Sequence, residues 1–152
     1  MKRFRDIEHS LPIQILKARE TTMERFRPML KKHGLTEQQW RVIRVLAATE
    51  SLDASELAQR SMLLPPSLTR IAKYLEGIKL VHRYADAQDQ RRYIFSLTPM
   101  GLEKYQQVGQ DSERLYQTIE AEFGEDKLAQ LHTLLVELNV ALSEKAVQDL
   151  EG

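Results

Sequence analysis

The sequence contains no cysteine. That absence excludes thiol redox chemistry, cysteine-ligated zinc fingers and a disulfide-stapled secreted scaffold. Its four histidines, His9, His33, His82 and His132, lack metal-ligand spacing, and no glycine-rich phosphate loop or nucleophile motif is present. No enzyme activity, metal or other cofactor is therefore expected. No apolar run approaches the ~20 residues that a membrane-spanning helix needs, and the N-terminus has no apolar signal core. A cytoplasmic protein without membrane association is the expectation. Internal repeats, low-complexity runs and Gly/Ser linkers are also missing.

Net charge is zero, with 22 Lys/Arg against 22 Asp/Glu, which at first argues against a polyanionic partner. The distribution argues otherwise. Residues 1–33 carry 9 cations against 4 anions, residues 34–59 carry 2 against 4, residues 60–95 carry 7 against 3, and the remainder carries 4 against 11. DNA affinity follows local phosphate contacts and not the total, so a basic centre with an acidic tail is compatible with nucleic-acid binding. Solvated helix faces would explain the same pattern.

The centre of the chain, residues 51–97, reads as a short helix, a turn, a second helix and a two-stranded hairpin. In the second helix, expected over 65–78, Leu68, Ile71, Leu75 and Ile78 recur at three- and four-residue steps and share one face. The opposite face carries Pro66, Thr69, Arg70 and Lys73. Such a face suits a DNA major groove: Arg meets a guanine edge, Thr a thymine methyl, Lys a phosphate. Pro65 and Pro66 start the helix where a missing N–H has no intrahelical partner to lose. The hairpin is expected at 80–84 and 92–97, with Tyr93, Phe95 and Leu97 alternating along its second strand. Its polar connection places Asp89 two residues before Arg91, close enough for the two to clasp and stiffen a basic tip that includes Arg92.

A long helix over 11–32 precedes this part, with a stripe of Ile15, Leu16, Met23, Phe26 and Leu30. Pro28 is not in its first turn, so a kink near residues 25–27 or a break is expected. Gly34 ends the helix in the left-handed conformation. Arg19 stands within the apolar stripe and needs an anion, either a carboxylate of another helix or a carboxylate ligand. Thr36 and Gln39 have capping-box spacing at the start of the next helix, whose apolar face is Trp40, Ile43, Leu46 and Ala47. Asp53 and Glu56 cap a brief helix over 54–60 that points Leu57 and Ala58 inward. Thr98 and Pro99 open a fifth helix. The last, over 125–150, repeats Leu128, Leu131, Leu135, Leu138 and Leu142 and is too leucine-rich to face solvent. It is expected to pack on the first helix and on its twin in a second subunit, an intrachain bundle being the alternative.

The run LTEQQWRVIRVLA from Leu35, the run PSLTRIAKYLEGIKLVHR from Pro66, Asp89-Gln90-Arg91 and the LTPMG from Leu97 together resemble the MarR family of winged helix-turn-helix transcriptional regulators. The resemblance spans nearly the whole chain. Two segments, ILKARETTMERFRPMLKKHGLTEQQWR and DQRRYIFSLTPMGLEKY, are similar to family members that regulate homoprotocatechuate (4-hydroxyphenylacetate) catabolic operons. It implies a mainly α fold with a small β wing, in one domain over 1–152. Residues 35–97 would form the winged helix-turn-helix, and 11–34 and 98–150 the dimerisation helices. It also implies a homodimeric repressor of an aromatic-acid catabolic operon, bound to a pseudo-palindromic operator in double-stranded DNA and released by a small phenolic carboxylic acid. Carried over by position, Ser67, Thr69 and Arg70 would read the groove, Asp89 and Arg91 would form the wing motif beside Arg92, and Arg19, Met23, His33 and Trp40 would meet the effector. In one respect the chain departs from the family. Glycine usually precedes the Leu-Val that starts the wing; here that position is Lys79, with Gly77 two residues earlier. Either Lys79 takes the left-handed conformation or the helix ends differently. A regulator of another aromatic-compound or stress operon, and a helical module that binds another protein through its leucine-rich tail, are the rival functions.

Overall fold

The computed structural model describes residues 4–148; the end of the last expected helix, at 149–150, lies outside them. The described chain holds six α-helices and three short strands. It divides after Ser112 into two compact units.

The first unit begins with a 3-10 turn at Ile7–His9, capped by Asp6, and continues into α1, Leu11–Lys32. This helix is unbroken at Pro28. Near the C-terminus its Phe26 and Leu30 are buried, and this packing outweighs the one backbone bond that proline forfeits. The expected stripe is therefore core only at its end, since Ile15 and Leu16 are exposed. Gly34 takes φ 73° and ends the helix as its sequence position predicts.

In α2, Glu37–Ala48, the reciprocal capping box of Thr36 and Gln39 is present. Trp40, Val42, Ile43 and Leu46 are buried, so Val42 joins the expected face. A two-residue strand β1, Leu52–Asp53, leads into α3, Ala54–Arg60, where the Asp53 carboxylate accepts the Glu56 N–H at 2.8 Å. Then comes α4, Pro65–Gly77, with Leu68, Ile71, Ala72 and Leu75 buried and Ile78 left exposed beyond its end. Two strands follow, β2 at Val81–Ala85 and β3 at Tyr93–Leu97. They pair antiparallel with Val81 opposite Leu97 and Ala85 opposite Tyr93. β1 pairs on the other side of β3, giving the order β1-β3-β2 and setting Asp53 opposite Ile94. Only the base of this ribbon enters the core, through Val81 and Phe95. Its distal end stands in solvent.

Both helices of the helix-turn-helix end in paired bonds that require a left-handed residue. At the end of α3, the Leu63 N–H reaches Ala58 O at 2.9 Å and the Met62 N–H reaches Gln59 O at 3.2 Å. At the end of α4, Leu80 and Lys79 repeat the pattern to Leu75 and Glu76, both at 2.9 Å. Met62 has φ 55° and Lys79 φ 64°. The departure at Lys79 is thus resolved by the backbone adopting the glycine conformation with a lysine in it, at a cost of roughly 1–2 kcal/mol.

α5 spans Pro99–Phe123. In its part within the first unit, Gly101, Val108 and Ser112 are buried. Gly101 is required by space: a Cβ there would lie 2.0 Å from the Leu80 carbonyl oxygen and 3.2 Å from Leu97 Cδ2. Thr98 locks the same junction, its hydroxyl donating to Lys79 O at 2.6 Å and its N–H to Leu80 O at 3.1 Å. The second unit holds the rest of α5 and α6, Glu125–Gln148. On α6, Leu131, Leu134, Leu135, Val136, Val140 and Leu142 are all exposed in the single chain.

Candidate nucleic-acid interface and effector site

The outer face of α4 is built by the same periodicity that buries its inner face. Pro66, Thr69, Arg70 and Lys73 are exposed, and Ser67 is half-buried. The Thr69 hydroxyl donates to Pro65 O at 3.0 Å, so its hydrogen is committed to the helix and its methyl and oxygen lone pairs remain available. Arg70 lies in a groove with Thr36, Gln38, Gln39 and Tyr74 at the start of α2. On the other side, Thr69 and Lys73 line a cleft of about 740 Å³ whose far wall is the wing, with Arg83, Arg91 and Tyr93. The helix is thus a ridge between two grooves, a shape that can occupy a DNA major groove with a sugar–phosphate strand on either side.

The wing tip is held by its two aspartates. Asp86 Oδ1 accepts the Gln88 N–H at 3.0 Å, and Asp89 Oδ1 accepts the Arg91 N–H at 3.0 Å. Asp89 therefore clasps the backbone of Arg91, and the Arg91 guanidinium has no ion-pair partner among the described residues. Arg92 is placed differently. Its guanidinium pairs with Asp53 at the cap of α3 and lies 3.6 Å from Asp86. The Asp53 carboxyl is held below the ordinary carboxylate range, first by the Glu56 N–H and then by Arg92. Arg83 joins the wing to α4 through Glu76 at 3.1 Å.

Of the four residues expected to meet an effector, Arg19 and Met23 stand on α1, His33 at its C-cap and Trp40 on α2. Arg19 pairs with Glu37 at the start of α2 and with Glu20 at 3.1 Å; Arg27 pairs with the same two carboxylates at 3.2 and 3.0 Å. Burial pushes the Glu37 carboxyl up, but Arg19 and then Arg27 outweigh it, and the net shift is downward. Arg19 lines a groove with Arg27, Lys31, Glu37 and Arg41, so the anion facing it is a carboxylate of another helix. His33 and Trp40 face α5 instead. His33 Nε2 is 2.7 Å from Asp111 Oδ2, and the Trp40 ring stacks on Tyr105 with centroids 5.7 Å apart. Met23 is half-buried on α1. Sequence reasoning missed Glu37, Tyr105, Asp111, Glu76 and Arg83. A search for opposite charge facing Arg19 would have reached Glu37 in the first turn of α2, but nothing local points to the others.

The sequence profile of the MarR family matches residues 35–93. That span runs from two residues before α2 to the first residue of β3. The homoprotocatechuate degradative operon repressor of Escherichia coli is 43% identical over 143 residues, covering 94% of this chain and 96% of that protein. The chain belongs to the MarR family. A second member, the HTH-type transcriptional regulator FarR of Neisseria gonorrhoeae, is 41% identical over 129 residues, covering 85% of this chain and 88% of FarR. Among solved structures, NadR in complex with 4-hydroxyphenylacetate superposes with a TM-score of 0.77 at 39% identity, covering 90% of this chain and 97% of NadR. This MarR-family chain is a DNA-binding transcriptional repressor and not an enzyme. Its fold is the mainly helical, winged architecture of the family. No helix of the described residues is long and apolar enough to cross a membrane, and no group of three His, Asp or Glu among them is placed to hold a metal ion.

Proposed function

We propose that the protein is a homodimeric repressor of an aromatic-acid catabolic operon of the homoprotocatechuate or 4-hydroxyphenylacetate type, acting in the cytoplasm. The observation that carries this reading is the two-faced α4: Leu68, Ile71, Ala72 and Leu75 are buried while Pro66, Thr69, Arg70 and Lys73 face outward beside the basic wing. Two such helices enter successive major grooves of a pseudo-palindromic operator when they stand about one helical turn apart, roughly 34–36 Å. Ser67, Thr69 and Arg70 contact base edges, Lys73 and Arg91 contact phosphates, and Asp89 and Arg92 shape the wing. The dimer reading is supported by the exposed leucine face of α6 and by the exposed Leu11, Ile15 and Leu16 of α1, apolar surfaces that a lone chain leaves in water. Single-domain organisation over 1–152 belongs to the same reading, with 35–97 reading DNA and 11–34 and 98–150 joining subunits.

Release by a small phenolic carboxylic acid is supported by the E. coli relative's operon and by the ligand in the NadR complex. In this chain Trp40, His33 and Met23 offer aromatic and apolar contact, and Arg19 offers the cation once the acid displaces Glu37. An effector shifts operator occupancy only through its different affinity for the DNA-bound and free states. Arg70→Ala tests the DNA reading: specific operator binding is lost while the circular dichroism melt is unchanged, and normal operator affinity would remove the groove assignment. Arg19→Ala tests the effector reading: DNA binding persists and the response to aromatic acids disappears, and an unchanged response would move the anion site elsewhere.

A further inference from the structure

Met62 and Leu64 occupy the turn that enters α4, and each contradicts its local setting. Position 62 has φ 55° and closes the bond pair at the end of α3, a place where glycine fits without strain. Position 64 is the N-cap of α4, where Ser, Thr, Asp or Asn would bond the first turn, yet Leu64 supplies no side-chain bond. Both side chains stand in water, Met62 at 80% and Leu64 at 75% exposure, while Leu63 between them turns toward the core. Pro65 and Pro66 continue the exposed apolar surface, and no charge occurs from residue 61 to residue 68. The turn is fixed by the α3 bond pair and by a contact of 3.5 Å from Arg41 Nη1 to Met62 O.

A strained residue and an unfavourable cap side by side point to use of the side chains themselves. This tip is continuous with the outward face of α4, at the end of a recognition helix whose residues contact base edges. The Met62 and Leu64 side chains offer no cation for a phosphate and no donor for a base edge, and the adjacent Arg41 guanidinium is turned to the Met62 carbonyl. The apolar group that a major groove offers is the C5-methyl of thymine.

We propose that Met62 and Leu64 read thymine methyl groups in the operator, adding sequence discrimination at base pairs beyond the reach of Thr69 and Arg70. The inference rests on the recognition-helix reading above.

The test uses two duplexes of the same sequence, from the promoter nearest the gene, one with thymine and one with every thymine replaced by deoxyuridine. Uracil keeps the O4 acceptor and loses only the methyl. Fluorescence anisotropy compares the full chain with Met62→Gly, Leu64→Ser and Arg70→Ala. The wild type binds the thymine duplex at least about tenfold more tightly, from roughly three- to fourfold for each buried methyl and one or more such methyls in each of two half-sites. Met62→Gly and Leu64→Ser each lower that ratio, and the double variant lowers it furthest, leaving only what the Thr69 methyl contributes. Comparing the ratio of each variant with that of the wild type cancels differences in duplex flexibility. Met62→Gly melts no lower than wild type, so its loss of discrimination is not unfolding. An unchanged ratio in the variants overturns the proposal, as does a wild type that does not discriminate. A changed sedimentation coefficient with an unchanged ratio also overturns it, by assigning the tip to a protein contact. Arg70→Ala separates the two levels: loss of binding to both duplexes keeps the recognition-helix reading whatever the ratio does, and intact binding by that variant removes the reading itself.

Discussion

Glu76 of the recognition helix and Arg83 of the wing face each other at 3.1 Å, and the Arg83 guanidinium carbon lies 4.5 Å from the centre of the Tyr93 ring. The pair spans the cleft that separates α4 from the wing. It places a negative charge on the surface proposed to meet phosphates, where simple electrostatics gives it the wrong sign. Removing that charge strengthens DNA binding if charge alone counts. If the pair sets the spacing of wing and helix, the same change weakens it. We expect Glu76→Gln to lower operator affinity about three- to tenfold. The salt dependence of binding should stay unchanged, because no phosphate contact is lost. Stability should change by less than about 1 kcal/mol, since the pair is largely exposed. Anisotropy at several salt concentrations checks this, and tighter binding would contradict it.

Asp53 serves two elements at once, capping α3 through the Glu56 N–H and holding Arg92 of the wing. Asp53→Ala is expected to cost about 1–2 kcal/mol in urea unfolding, mostly from the lost cap. Arg92→Ala should cost less than about 1 kcal/mol because that pair is half-exposed. Equal costs would mean that the ion pair, and not the cap, holds the wing base.

Acid should destabilise the fold in a defined window. Glu20, Glu37 and Asp53 all have carboxyls held below their ordinary range: Glu20 chiefly by Arg27, Glu37 by Arg19 and Arg27 against the opposing effect of burial, and Asp53 by the Glu56 N–H and Arg92. A depressed pKa in the folded state adds stability above the unfolded value, near pH 4, and that stability is lost as pH falls through the folded value. These groups therefore contribute a flat profile from pH 5 to 8 and a falling one below about pH 4. Melting temperature against pH checks the sign, and Glu37→Gln should shallow the acid limb.

Gly101 and Lys79 make a pair of opposite predictions at one junction. Gly101→Ala drives a Cβ onto the Leu80 carbonyl oxygen, which is already held by the Thr98 N–H and cannot easily retreat. A loss of roughly 3 kcal/mol is expected. Lys79→Gly relieves the left-handed strain and should add about 1 kcal/mol. Chemical denaturation of the two variants measures both.

What the sequence made legible was local. The Thr36–Gln39 box, the Asp53 cap, the Gly34 terminus and the buried face of α4 each follow from residues within a few positions of one another. The electrostatic contacts of the site do not. Arg92 reaches Asp53 across 39 residues, His33 reaches Asp111 across 78 and Arg19 reaches Glu37 across 18. The first depends on β1 pairing with β3: residues 51–53 allow a short edge strand, but so short a strand carries no signal of which strand it joins. Arg19 was legible as a cation in need of an anion, but which anion was a question of packing. The α6 leucines were legible as a face needing cover, because their spacing is regular; in the single chain that face remains exposed.

The central claim is operator binding released by an aromatic acid. Fluorescence anisotropy of the full chain on a duplex from the promoter nearest its gene, titrated with 4-hydroxyphenylacetate and with 3,4-dihydroxyphenylacetate, tests it most directly. The account predicts tight, salt-dependent binding that either acid releases. Tight binding unmoved by both acids would contradict the effector assignment, and the absence of any specific binding would contradict the repressor itself.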